Sequence, residues 1–183
     1  MNWPNRLSLM RIGSVPVLTL LLMLDNVMWA RYAALFLFIA ASITDFVDGH
    51  IARKYNLVTN FGKFIDPVAD KLLVLSTMVM LSWHGLLPAW IVVAVLFREL
   101  AVDGLRLVAV EQGKVIAAGK LGKIKTACQM TMIITHLVYF AKFPLLHYLA
   151  NWLLIPTQIA VLVMTIWSGV EYFTAYGKNI NMK

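Results

Sequence analysis

The sequence has little charge and almost no cysteine. Charged residues make up 14% of the 183 positions, whereas hydrophobic residues make up 61% and the mean hydropathy is +0.77. A soluble domain of this length needs more polar surface, so the composition indicates a polytopic membrane protein. The single cysteine, Cys128, lies in an apolar run. It excludes a disulfide within the chain and indicates a buried free thiol.

Zinc-binding and nucleic-acid-binding patterns are also missing. The four histidines, His50, His84, His136 and His147, are scattered without the spacing of a zinc site, so we expect loop or interface residues. The net charge is +7, but the basic residues form no stripe with interleaved aromatic residues, which argues against nucleic-acid binding. No repeat, low-complexity stretch or linker interrupts the chain, so residues 1–183 are predicted to form a single domain.

Long apolar runs predict an all-α fold with six membrane-spanning helices. About twenty apolar residues cross a hydrocarbon core ~30 Å thick. The runs lie at about residues 12–24, 30–48, 64–83, 88–110, 126–141 and 151–173.

The flanking residues predict how the first helix begins and how the helices are oriented. A short interfacial segment around Trp3 and Pro4 is expected before the first helix, and no cleavage site for a signal peptide follows it. Only Arg31 and Lys142 lie away from the side that holds both termini and most Lys and Arg residues. That side is therefore predicted to be cytoplasmic.

Four carboxylates, Asp45, Asp48, Asp66 and Asp70, fall close together in this apolar chain. Acids at membrane depth are costly unless they face a cavity, a partner or a metal. The members of each pair are three or four residues apart, so each pair shares one face of a helix. Two such helices could hold two hard divalent cations, Mg²⁺ or Mn²⁺, which usually engage phosphate oxygens. Alternatively, the neighbouring Lys and Arg side chains simply neutralise these acids.

Small residues and one arginine accompany the acids. Gly49, Ala52 and Gly62 would let a bulky phosphate-bearing ligand approach the backbone, although small residues also serve tight helix packing in membranes. The guanidinium group of Arg53 suits phosphate, although it could equally be an ordinary basic residue of the cytoplasmic side.

The pattern D-x2-D-G-x2-A-R-x8-G-x3-D-x3-D, from Asp45 to Asp70, resembles the signature of the CDP-alcohol phosphotransferases, and all nine of its positions match. The resemblance covers nearly the whole chain and is closest to the bacterial phosphatidylglycerophosphate synthases. It implies six transmembrane helices and a homodimer in the bacterial cytoplasmic membrane, with the active site on the cytoplasmic side. It also implies transfer of the phosphatidyl group of CDP-diacylglycerol to sn-glycerol 3-phosphate, with release of CMP.

The resemblance also implies roles for individual residues. Asp45, Asp48, Asp66 and Asp70 would ligate two divalent cations, and Asp70 would act as the general base. The residues implied to line the cytidine-diphosphate site are Gly49, Ala52, Arg53 and Gly62.

A phosphate-bearing acceptor needs several converging cations. Arg98 and Arg106 lie close to one face of the fourth helix, and Lys123 and Lys125 open the fifth, although each could be an ordinary basic residue of the cytoplasmic side. Asp103 stands where the resemblance leads us to expect a small or hydroxyl residue. It is expected either to tune the acceptor pocket or to pair with Arg106.

Other functions remain open at this point. A member of the same family could use inositol phosphate, inositol or serine as the acceptor. A metal-dependent membrane hydrolase would keep the four acids but would need no nucleotide pocket. An ion-coupled transporter would show inverted repeats and broken helices near the midplane of the membrane, and the sequence shows neither.

Overall fold

The computed structural model of the chain is all-helical. It describes the backbone of residues 3–54, 60–112 and 119–176, and the side chains of residues 7–44, 62, 65–112, 119 and 121–175. Within these ranges the helices are α1 (Trp3–Met23), α2 (Met28–Lys54), α3 (Asn60–Trp83), α4 (Ala89–Glu111), α5 (Lys120–Phe140) and α6 (Leu146–Tyr176). Each helix covers one of the predicted apolar runs to within one residue, which confirms the all-α class.

The helices extend beyond the apolar runs at several ends. The segment around Trp3 and Pro4, expected to precede the first helix, is the first turn of α1, where a proline costs no backbone hydrogen bond. Its position at the membrane interface stays a prediction. α2 continues to Lys54 and α3 begins at Asn60, so most of the acid motif is helical. Hydropathy underestimates these ends because charged residues such as lysine are good helix formers.

The length and apolar composition of the helices indicate membrane crossing for only some of them. In the described chain, one helix, Leu146–Ala175, has the length and apolar composition to cross a membrane, and Leu7–Met23 and Met28–Thr44 are shorter apolar helices. The other helices carry charged residues within their length, which lowers their mean hydropathy. Six spans therefore stay a prediction.

The surface of α4 shows that apolar side chains face outward and charged ones inward. Phe97, Leu100 and Leu107 are 74%, 63% and 72% exposed, whereas Glu99 is only 8% exposed. Large exposed apolar surfaces mark contact with a membrane or a partner. Ionisable residues in membrane helices face the interior of the bundle because a charge exposed to lipid is costly. This arrangement fits a membrane-embedded chain.

Short connections make successive helices run in opposite directions. Apolar side chains such as Leu18, Phe38, Leu81, Met132 and Leu137 form a buried core among α1, α2, α3 and α5. The C-terminal halves of α2, α4 and α6 therefore lie at the same end of the bundle as the N-terminal halves of α3 and α5. The acid motif and the predicted acceptor residues meet at this end.

A buried polar cluster joins α5, α6 and the α3–α4 loop. His136, expected to be a loop or interface residue, is fully buried. Its Nδ1 lies 2.7 Å from the Met132 carbonyl oxygen and its Nε2 lies 2.9 Å from Gln158 Nε2. The Gln158 amide also donates to the Leu86 carbonyl oxygen at 3.2 Å. One consistent assignment has His136 donating from Nδ1 and accepting at Nε2.

We expect Gln158→Leu to destabilise the protein by about 1–3 kcal/mol, because it leaves His136 Nε2 and the Leu86 carbonyl without their donor. Thermal unfolding in detergent measures the loss. The matched control is Thr157→Val, since the Thr157 hydroxyl bonds only carbonyl groups of its own helix. An equal change in both variants would contradict the assigned role of Gln158.

Candidate functional site

A cavity of about 250 Å³ lies among α3, α4, α5 and α6. Its lining includes five residues predicted for the site: Asp70, Arg98, Arg106, Lys123 and Lys125. Cavities that take drug-sized ligands measure roughly 300–1,000 Å³. This cavity therefore suits a small polar molecule rather than a lipid chain.

Glu99 is the centre of the charged wall of the cavity. Lys125 Nζ donates to its carboxylate, Arg98 Nη1 lies 3.4 Å from Oε1 and Lys71 Nζ lies 3.7 Å from Oε2. The Glu99 and Lys125 side chains are 10% and 6% exposed. A buried carboxylate is costly unless it is paired, so Glu99 holds these cations in place as they hold it.

Asp103 and Arg106 take different partners. Asp103 pairs with Lys71, so the expected pairing with Arg106 is wrong, although Asp103 does line the cavity. Arg106 Nε donates to the Tyr172 hydroxyl at 2.7 Å, and its guanidinium carbon lies 5.3 Å from the centre of the Tyr172 ring. Tyr172 of α6 therefore holds Arg106, and Lys71 of α3 holds Asp103.

The structure describes half of the predicted four-acid cluster. Asp66 and Asp70 are four residues apart on α3, and Asp66 accepts a hydrogen bond from Ser8 of α1. Asp45 and Asp48 lie in α2, but their side chains are outside the described residues. Among the described side chains, no three His, Cys, Asp or Glu residues group closely enough to hold a metal ion. The donor type of Asp66 and Asp70, paired carboxylates on one helix face, fits hard cations.

The predicted cytidine-diphosphate residues are only partly described. Gly62 is buried in the first turn of α3. Gly49, Ala52 and Arg53 lie in α2, with side chains outside the described residues. Their assignment to a nucleotide site stays a prediction.

The lining residues that were not assigned to the site from the sequence include Lys71, Glu99, Gln129 and Tyr172. Gln129 follows Lys125 by four positions and so shares its helix face. A polar residue on that face within an apolar run was the available signal. The contact between Tyr172 and Arg106 spans 66 positions, and no local pattern indicates it.

Comparisons with known proteins match this chain over most of its length. The family model described as CDP-alcohol phosphatidyltransferase matches residues 1–167. A protein of Bacillus subtilis (strain 168), named CDP-diacylglycerol–glycerol-3-phosphate 3-phosphatidyltransferase, is 42% identical over 94% of each chain. A protein of the same name in Rickettsia typhi is 41% identical over 95% of this chain and 96% of its own. A Mycobacterium tuberculosis protein named probable phosphatidylglycerophosphate synthase is 39% identical over 93% of this chain and 79% of its own.

We expect Glu99→Gln to destabilise the protein by roughly 3–5 kcal/mol, because Lys125 keeps its buried charge and loses its counter-charge. Thermal unfolding in detergent gives the difference. Asp103→Asn is the matched control. It breaks a more exposed pair, whose side chains are 28% and 38% exposed, and should cost no more than about 1 kcal/mol.

A double variant separates charge from packing at this position. Glu99→Leu combined with Lys125→Met removes both charges and should regain most of the stability lost in Glu99→Gln. If the double variant were no more stable than Glu99→Gln, the unpaired charge of Lys125 would not be the cause.

Proposed function

The chain belongs to the CDP-alcohol phosphatidyltransferase family, and we infer that it transfers the phosphatidyl group of CDP-diacylglycerol to sn-glycerol 3-phosphate. The products are phosphatidylglycerophosphate and CMP, so the enzyme serves phospholipid biosynthesis. Relatives near 40% identity carry this activity in their names. The observation that supports the acceptor from the structure is the small cavity that brings Arg98, Arg106 and Lys123 beside Asp70.

The charge of the cavity favours a phosphate-bearing acceptor. Its lining contains five cationic side chains, Lys71, Arg98, Arg106, Lys123 and Lys125, and three acidic ones, Asp70, Glu99 and Asp103. A phosphate monoester carries about −1.5 to −2 at neutral pH, which matches this positive excess. Serine and inositol have no such charge, and a cavity for them would need fewer cations.

Within this proposal, Asp70 accepts the proton of the primary hydroxyl of sn-glycerol 3-phosphate. The resulting alkoxide attacks the β-phosphorus of CDP-diacylglycerol, and the bond from that phosphorus to CMP breaks. Arg98, Arg106, Lys123 and Lys125 hold the acceptor phosphate, which orients the hydroxyl towards Asp70. Positioning of this kind supplies much of the acceleration in phosphoryl transfer.

We propose that two divalent cations, Mg²⁺ or Mn²⁺, would be held by Asp45, Asp48, Asp66 and Asp70. When bound, such cations neutralise the charge of a diphosphate and of its leaving group. Ser8 orients Asp66 by donating to its carboxylate. Gly49, Ala52, Arg53 and Gly62 are proposed to line the cytidine-diphosphate site.

The proposal places the whole chain, residues 1–183, in the bacterial cytoplasmic membrane as one domain with six spans. The protein belongs to a family of membrane enzymes, and the outward apolar surface of α4 supports a location within the bilayer. The excess of basic residues at the cavity end favours a cytoplasmic active site and cytoplasmic termini. A homodimer is proposed from the resemblance alone.

The test uses the purified protein in detergent with CDP-diacylglycerol and Mg²⁺ or Mn²⁺. Glycerol 3-phosphate, inositol phosphate, inositol and serine are offered separately while CMP release is followed. We expect release only with glycerol 3-phosphate, complete inhibition by EDTA, and no turnover in folded Asp70→Asn, which lacks the base.

The alternatives give different results in the same assay. CMP release with another acceptor would support the reaction class but reject glycerol 3-phosphate as the acceptor. Absence of CMP with every acceptor would favour a hydrolase. Near-normal turnover in Asp70→Asn would reject the role of that carboxylate.

Removing one positive charge from the cavity should weaken binding of the acceptor more than binding of the lipid donor. We expect Lys123→Gln to raise the KM for glycerol 3-phosphate by roughly tenfold or more, because it removes a charge-assisted hydrogen bond. The KM for CDP-diacylglycerol should stay within about twofold. Lys142→Gln, an exposed change in the α5–α6 connection at the opposite end of the bundle, is the control. Equal changes in both KM values would reject a phosphate-binding role for Lys123.

A further inference from the structure

Gln129 is a buried polar side chain of the cavity, and its amide nitrogen has no partner among the residues that the structure describes. It lies on α5, is 3% exposed and lines the cavity. Its Nε2 is buried without a hydrogen-bond partner in the described part of the chain. Native proteins seldom leave such a group unpaired, and a bound ligand is one of the ways in which it becomes satisfied.

Three neighbouring side chains already have partners. Lys125 donates to Glu99 and Lys71 to Asp103, and Arg106 Nε donates to Tyr172. Among the described residues, Lys123 at the exposed edge has no partner, and neither do Arg98 Nε and Gln129 Nε2 in the buried part. A ligand therefore meets a cation at the exposed edge of the cavity, and an arginine nitrogen and a neutral amide deeper inside.

We propose that Gln129 is a specificity-determining residue that binds the secondary hydroxyl at C2 of the acceptor. This inference rests on the proposed function. Glycerol 3-phosphate presents three kinds of group: a phosphate for the cations, a primary hydroxyl for Asp70, and the C2 hydroxyl. A side-chain amide both donates and accepts hydrogen bonds, as a hydroxyl does. Gln129 satisfies the C2 hydroxyl without adding charge to the buried end of the cavity.

The position of Gln129 on α5 supports its proposed role in binding the C2 hydroxyl. It lies one helical turn beyond Lys125, on the same face. A molecule held at its phosphate by Lys123 and Arg106 would extend along α5 towards Gln129, with Asp70 of α3 on another wall of the cavity. A site built to bind a hydroxyl rejects an analogue that lacks it, because its own polar group is then left unpaired.

The test compares two acceptors in initial-rate kinetics: sn-glycerol 3-phosphate and 3-hydroxypropyl phosphate, which lacks only the C2 hydroxyl. We expect the wild-type enzyme to prefer glycerol 3-phosphate by roughly tenfold to a hundredfold in kcat/KM. In Gln129→Leu, kcat/KM for glycerol 3-phosphate should fall to the level of the analogue, while the value for the analogue changes by no more than about twofold.

Two further variants separate recognition from folding. Gln129→Met keeps the length of the side chain and should abolish the preference in the same way. Thr131→Val, an exposed change on α5 whose hydroxyl donates to the Ala127 carbonyl oxygen of its own helix, should keep the wild-type preference.

The outcomes distinguish this inference from the proposed function. Parallel loss with both acceptors in the Gln129 variants would show a structural role and overturn the inference, while the proposed function stands. Retention of the full preference for glycerol 3-phosphate in these variants would also overturn it. A folded wild-type enzyme that does not use glycerol 3-phosphate would reject both.

Discussion

A carboxylate within an apolar helix is tolerable only if cations surround it, and Glu99 gathers three of them. Lys71 comes from α3, Arg98 from α4 itself, and Lys125 from α5. The cluster therefore fixes how these helices meet at one end of the bundle, and it fixes where the remaining donors point. The cavity beside Asp70 exists in this form because the ion pairs of Glu99 occupy one of its walls. A change in the position of Glu99 would alter the binding surface and the helix packing together.

The two ends of the bundle solve the same physical problem in different ways. At the cavity end, full charges compensate each other, and some donors remain for a ligand. At the other end, His136 and Gln158 form a neutral cluster with backbone carbonyl groups, and it has no net charge to attract ions. The apolar core lies between these polar clusters, so polar contacts between helices stabilise the bundle near both ends. At the cavity end, hydrogen-bonding groups lie beside open space.

Much of this arrangement follows from the sequence, and the rest depends on tertiary geometry. The helices were predictable because apolar runs of the right length have few alternatives. Charged residues near or within apolar helices are functional candidates. On this ground the sequence singled out four residues that line the cavity: Arg98, Arg106, Lys123 and Lys125. Their pairings were not predictable. Lys71 and Asp103 are 32 positions apart, and their contact depends on how α3 and α4 are rotated. Pairing with Arg106 was one of two expectations for Asp103, whereas Tyr172 of α6 holds this arginine.

The order of the Glu99 partners along the chain has a consequence for biogenesis. Lys71 and Arg98 are synthesised before Glu99 or together with it, whereas Lys125 follows a helix later. When α4 leaves the ribosome, its carboxylate can already be compensated by the lysine of α3 and by its own arginine. If α3 and α4 cross the bilayer, as proposed, they can enter it as a partly neutralised pair before α5 is synthesised. Lys125 of α5 then meets a counter-charge that is already in place. A chain in which Lys125 alone compensated Glu99 would leave this carboxylate unpaired until α5 is synthesised.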